Sequence, residues 1–382
     1  MDFSLYLRRF VTVGLYALLF TPLVFQNRLM HSLITAKALF FEVVVAILFA
    51  CYAVLALALP AYRLRRTPVL LAGAFLIAAL FLSSAFGADF PRSFWSIPER
   101  MTGLFFMLHV AAFFAMLAGM IRGPLAWRTY LAWSSGASFL IALFPAFQLA
   151  FPGFFFDPAA ERFSGTVGNP IFLAAYLLFH VFIAGHLAFE SRARGQRTLA
   201  ALFGVIALFD AGVIAMTQTR GALAGLVAGL AVLSVFYAVR PFGTDIVPPP
   251  RGRAAIAAAW TALFLLSSFF YATRAHPAWS SVPVFGRLSA QGLQAAPRLM
   301  AWRIGLVSFA DRPLFGWGFE NSSVGFNAHY DPRLLRYGSG EIAFDKPHNA
   351  FVQALAETGI LGFAAYAAFF AILLWRSRRA PW

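Results

Sequence analysis

The chain is almost without cysteine: one residue, Cys51, stands in an apolar run of the 382-residue sequence. No intramolecular disulfide can form, and no cysteine-based metal site can be built. Charge is scarce too. Asp, Glu, Lys and Arg make up 12% of the chain, where a soluble domain has roughly 25%. Acids are the scarcer sign, 15 against 30 basic residues. The sequence holds no His-Glu-x-x-His, no Asp-x-Asp pair and no P-loop glycine pattern. It offers no signature for a catalytic zinc, a carboxylate-bound metal or a nucleotide phosphate, and no cofactor is expected. Nor does one half of the chain repeat the other, as happens in many transporters.

What fills the sequence instead is apolar. Hydrophobic residues make up 61% of it, and the mean hydropathy is +0.75. One water-soluble core cannot hide that much apolar surface, so the composition predicts an all-α integral membrane protein. About ten runs are long enough to span a bilayer. They lie near residues 10–26, 36–60, 67–88, 101–121, 129–151, 169–189, 198–218, 221–239, 253–273 and 348–375. No small-residue cleavage site follows the first run, so it reads as a retained span rather than a signal peptide.

The net charge of +15 invites a nucleic-acid partner, but the placement of the basic residues argues for a membrane. With the N-terminus inside, the inner segments carry Arg8 and Arg9, then Arg63, Arg65 and Arg66, then Arg122 and Arg128. Further inner segments carry Arg192, Arg194 and Arg197, then Arg240, Arg251 and Arg253, and finally Arg376, Arg378 and Arg379. The outer connections are poorer: Arg28 and Lys37, Arg92 and Arg100, Arg162. By the positive-inside rule both termini are cytoplasmic. The long polar stretch from Arg274 to Pro347 then falls outside, and a connection of that length is usually functional. Four segments follow: N-terminal spans in 1–160, spans with polar outer rims in 161–273, a large outer loop in 274–347, and a last span with a basic tail in 348–382. No nucleic-acid partner is expected, and membrane lipid is.

Three outer stretches hold more polar chemistry than a connector needs. In "ERFSGTVGNPIFLAAYL", Asn169 and Pro170 form a helix cap and first turn. The exposed amides there either attract an anion or simply begin a helix. In "TQTRGALAG", Arg220 is the one basic residue of a tight hairpin near the hydrocarbon edge, where it either snorkels or faces a wet cavity. The third stretch, "APRLMAWRIGLVSFADRPLFGWGFEN", opens with a helical pattern. Leu299, Trp302, Leu306 and Phe309 are expected to form its apolar face, with Arg298 and Arg303 on or beside it. Pro313 and two glycines break that helix. The loop leaves through "DKPHNAF", where Pro347 and His348 begin the last span. Glu42 and Asp210 stand inside spans, and intramembrane acids can mark proton pathways.

Together these stretches resemble the O-antigen ligase and polymerase family of bacterial envelope glycosyltransferases. The matching pieces are "RFSGTVGNPIFLAAYLLF", "TQTRGALAGL", "RLMAW", "DRPLFGWGFEN" with "FNAHYDPRL", and "FDKPHNAFVQALAETGILGFAAY". They cover roughly residues 160–370, and the last is the most specific. Many relatives carry further spans beyond the histidine helix, whereas this sequence has one.

The resemblance implies transfer of a glycan from a polyprenyl diphosphate carrier to an acceptor hydroxyl at the outer face of the cytoplasmic membrane, without metal or nucleotide. The acceptor is a sugar, lipid or protein hydroxyl, so a polymerase or a protein O-oligosaccharyltransferase of the same family stays open beside a ligase. By their places in the motifs, His348 is the implied catalytic residue, and Arg220 and Arg298 bind the diphosphate, with Arg303 as the alternative to Arg298. Asn349 is expected to orient the imidazole and Pro347 to set the helix start, with Asn169 in support.

These residue types suit the chemistry. Guanidinium grips phosphate oxygens with two prongs and stays charged. Neutral imidazole accepts the proton of an attacking hydroxyl. Trp317, Phe315 and Tyr330 are candidates for packing on sugar faces, at least one of them belonging to the loop core. Two other classes compete. A transporter or lipid flippase would depend on Asp210 and Glu42. A non-catalytic assembly protein would use the loop to bind partners.

Overall fold

The computed structural model describes residues 3–26, 33–98, 100–151, 163–239, 250–279, 295–337 and 344–379. The expected contributions of Arg28, Glu161, Arg162 and Arg240, and the side chains of Arg251, Arg253, Arg378 and Arg379, lie outside the described residues. No strand occurs among the described residues; every regular element is helical.

In chain order the α-helices are α1 (Phe3–Ala17), α2 (Thr35–Ala58), α3 (Pro68–Ala85), α4 (Phe90–Trp95), α5 (Leu104–Met120), α6 (Pro124–Ala150) and α7 (Pro170–Ala193). There follow α8 (Arg197–Met216), α9 (Arg220–Val239), α10 (Pro250–Thr273), α11 (Ala295–Asp311), α12 (Ser322–Ala328) and α13 (Ala350–Arg379). Helices stand at all the positions expected for spans. Among the described residues, 8 are long and apolar enough to cross a membrane, and the apolar helices Leu104–Met120 and Arg220–Val235 are shorter. The protein is a multi-pass, all-α membrane protein.

Local chemistry sets several helix starts. Thr67 accepts from the Leu70 amide ahead of Pro68, and Asn169 accepts from the Ile171 amide ahead of Pro170. Both place a capping oxygen over amides that have no intrahelical partner, and both use proline where its missing N–H does no harm.

Two compact units result. One joins Met1–Ala126 to Leu293–Arg379; the other is Trp127–Gly292. In the first, α13 packs along α3 and α11, and α2 lies between α1 and α5. In the second, α7 packs mainly on α8 and also meets α9.

The last helix is not continuous. Gly359 has φ 62° and ψ −166°, which breaks α13. An unbroken helix would bond the Ile360 and Leu361 amides to the carbonyls of Ala356 and Glu357. Here those partners are exchanged with the segment Pro313–Gly318. Ile360 donates to the Pro313 carbonyl (2.8 Å) and Leu361 to that of Leu314 (3.3 Å), while the Ala356 and Glu357 carbonyls accept from Trp317 (2.9 Å) and Gly318 (2.8 Å). Ser83 of α3 closes the seam, its hydroxyl lying 2.8 Å from the Phe315 carbonyl and 2.9 Å from that of Glu357. Irregular backbone at membrane depth is tolerated only when protein satisfies it, and this seam does so bond for bond.

Candidate functional site

His348 sits on the turn that leads into α13, and the residues around it are each anchored. Phe344 is buried in a core with Ala301, Ile304, Phe326 and Leu334. Asp345 pairs with Arg100 at 2.5 Å. Lys346 pairs with Glu320 at 2.6 Å. Pro347 is buried beside Gly305 of α11, where an added Cβ would meet Val352 at 2.6 Å and Pro347 at 3.3 Å. The Asn349 side-chain oxygen accepts from the amides of Phe351 (3.0 Å) and Val352 (3.3 Å). Asn349 thus caps the helix start, and no bond from it to the His348 ring occurs among the described residues.

His348 itself is exposed. Its ring meets the edge of Phe344 at 5.7 Å, and it has no hydrogen bond among the described residues. Its φ of 53° lies in the left-handed region, which costs a non-glycine residue about 1 kcal/mol or more and persists only where neighbours impose it.

Helix α11 brings two of the predicted arginines into this unit. Both Arg298 and Arg303 are exposed. Their environments differ. The Arg333 guanidinium bonded to Asp331 holds that carboxyl well below the usual range, at about 2, and Arg303 adds a weaker pull. Arg298 has no ion pair or hydrogen bond among the described residues.

The expected apolar face of α11 is not its packing face. Leu299 and Leu306 are exposed and Trp302 and Phe309 half-buried, whereas Pro297, Ala301, Ile304, Gly305 and Ser308 are buried. Small residues let α11 approach α13 closely, while Leu299 and Leu306 are left open. The loop aromatics are used in packing. Trp317 donates to the Ser308 carbonyl at 2.8 Å and carries Arg312 over its ring, Phe315 stacks on Phe86 at 4.7 Å, and Tyr330 meets Phe326 edge-on.

Between the histidine turn and the seam lies a polar network not expected from the sequence. Glu357 is buried and accepts from Ser322 (2.6 Å) and Gln353 (3.1 Å). Glu320, also buried, accepts from Ser96 (3.1 Å) besides Lys346, and its main-chain carbonyl accepts from Arg92 (3.2 Å). The clue was present. Carboxylates in "GWGFEN" and "ETG" stand amid apolar residues, where an acid needs partners.

The second unit holds the other two predicted positions together. Thr219, beside Arg220 at the start of α9, reaches the Pro170 carbonyl at 3.4 Å, next to the capping residue Asn169. Thr217 and Thr219 bond each other at 2.9 Å, and Gln218 turns the hairpin with φ 53°. Arg220 is exposed at this rim. Deeper in the same unit Asp210 is fully buried against Ser138 at 2.8 Å, and His180 meets Ser134 at 2.9 Å. Glu42 is buried in the first unit.

The class defined so far is a polytopic helical membrane protein with an exposed, strained histidine at the start of a broken helix and two arginines on a helix packed against it. Residues 202–367 match the family model described as O-antigen ligase. That span contains Arg220, Arg298, Arg303, His348 and Asn349, and over it the chain is similar to the O-antigen ligase family. Comparison with curated proteins gives no match. Family members are glycosyltransferase-like enzymes of the ligase and polymerase type, acting on lipid-linked glycan donors and their acceptors.

Proposed function

We propose that the protein transfers a glycan from a polyprenyl diphosphate to an acceptor hydroxyl at the outer face of the cytoplasmic membrane, with His348 as general base. The observation that carries this reading is the histidine turn. Its neighbours are anchored, and the histidine alone stays exposed with both ring nitrogens uncommitted among the described residues. Strained, solvent-accessible side chains on rigid supports are where chemistry is found.

In the reaction the acceptor oxygen attacks the anomeric carbon of the donor while its proton passes to the His348 imidazole. The bond from that carbon to the diphosphate oxygen breaks, and the oxygen leaves with the electron pair. The polyprenyl diphosphate departs as an anion, so charge stabilisation matters more than protonation of the leaving group. By their places in the motifs, Arg298 in the first unit and Arg220 in the second are the candidates for that charge, with Arg303 the alternative to Arg298. Asn169 supports the Arg220 rim by fixing the start of α7. No step is assigned to a metal or nucleotide. The basic residues favour a topology with both termini cytoplasmic and residues 274–347 outside.

The test is transfer by purified protein from a polyprenyl-diphosphate oligosaccharide to an added acceptor. His348→Ala should lower the rate by about a hundredfold or more while leaving folding intact. Full activity of that variant would remove the base assignment. Assays with a lipid A core, a second lipid-linked glycan or a protein as acceptor separate ligase, polymerase and protein glycosylation.

A further inference from the structure

We propose that Glu320 and Lys346 are positioning residues for His348, forming an ion-pair clamp that holds the histidine turn in its left-handed conformation. The inference rests on the reading of His348 as the base.

The geometry supports it from several directions. Lys346 lies two residues before the histidine and reaches across to Glu320, on the connection between α11 and α12, at 2.6 Å. The pair is sheltered, with side-chain exposures of 21% for Lys346 and 7% for Glu320. Glu320 is fixed independently of the lysine. Its second carboxylate oxygen accepts from Ser96, and its main-chain carbonyl accepts from Arg92. Its own φ of 62° is left-handed, so the ion pair joins one strained residue to the lysine two positions before another, His348. The adjoining Ser322 donates to Glu357 in the first half of α13. The clamp therefore ties the histidine turn to the same connection that is bonded to the histidine helix.

A second pair, Arg100 with Asp345, flanks the turn, but its side chains are 33% and 41% exposed. Exposed pairs contribute little, whereas breaking a sheltered one leaves a charge without its partner. The Lys346–Glu320 pair is thus the one that sets the histidine.

The experiment compares Lys346→Met, Lys346→Arg, Glu320→Gln and Arg100→Met in purified full-length protein. Two measurements are made: transfer kinetics with varied donor, and hydrogen exchange of residues 344–352 followed by mass spectrometry. Lys346→Met and Glu320→Gln should lower kcat by about tenfold or more, since small misplacement of a reacting group is costly, while donor KM changes less than about threefold. Lys346→Arg should restore most of kcat by keeping the pair. Arg100→Met should lose less than about threefold. Exchange in residues 344–352 should quicken in Lys346→Met and not in Lys346→Arg. The clamp is overturned if Lys346→Met keeps its kcat and exchange rate, or if Lys346→Arg is as impaired as Lys346→Met. His348→Ala run alongside keeps the two ideas apart. Full activity there removes the base reading, whereas the exchange data judge the clamp whatever His348 does.

Discussion

At the scale of single residues, the histidine turn shows how a side chain can be important without touching the chemistry. Asn349 uses its carbonyl oxygen on two amides of α13, so its contribution is to the helix start. Asn349→Ala should lose about 1 kcal/mol of stability, read as a lower melting temperature in detergent. The transfer rate should fall with it, by less than in His348→Ala. Unchanged melting and unchanged rate together would show that the cap is dispensable. Legibility at this scale was uneven. His348, Arg220 and Arg298 were expected from their places in motifs that resemble the family's, not from local chemistry alone. The partners of Glu320 and Glu357 could not be foreseen, because Lys346, Ser322 and Gln353 are ordinary polar residues until the fold brings them within reach.

At the scale of elements, positions were readable and continuity was not. Hydropathy located a helix at every expected span because lipid admits few alternatives. It could not register the break in α13, since a glycine inside an apolar run reads as helix. Gly359 is required there on two counts. Its dihedrals fall in a region nearly closed to other residues, and an added Cβ would lie 2.4 Å from the Leu314 carbonyl oxygen. Gly316 is its counterpart, with φ 70° and a Cβ position 2.4 Å from the Glu357 backbone. Gly359→Ala should therefore cost about 1–3 kcal/mol in thermal or denaturant unfolding. Gly185→Ala in α7, where nothing lies within 4 Å, should be neutral or slightly stabilising. Equal effects at the two sites would contradict the account of the seam. The α11 stripe gives a related lesson. Periodicity identified the helix, but small residues rather than large ones chose its packing face.

At the scale of the molecule, the single cysteine makes topology testable. In a Cys51→Ser background, Leu335→Cys on the large loop should react with a membrane-impermeant maleimide applied to intact cells. Leu64→Cys, between the arginines that follow α2, should react only after the membrane is opened. Both side chains are exposed, so access to the reagent is the variable. The reverse pattern would invert the proposed orientation and place His348 on the cytoplasmic side. The charge alternation behind that orientation was legible along the chain. The division into units was not, because it joins distant sequence: Ser83 and the Glu357 carbonyl it contacts are 274 positions apart.

That seam also dictates an order of assembly. Translation delivers α3 early, the Pro313–Gly318 segment much later, and Ala356–Leu361 last of all. The described part of the second unit is contiguous in sequence, so its contacts can form while the ribosome is still working. The first must wait with Ser83 unpartnered until both late segments have arrived. A partly synthesised chain thus holds α3 and the second unit's hairpin before the Pro313–Gly318 and Ala356–Leu361 segments can meet.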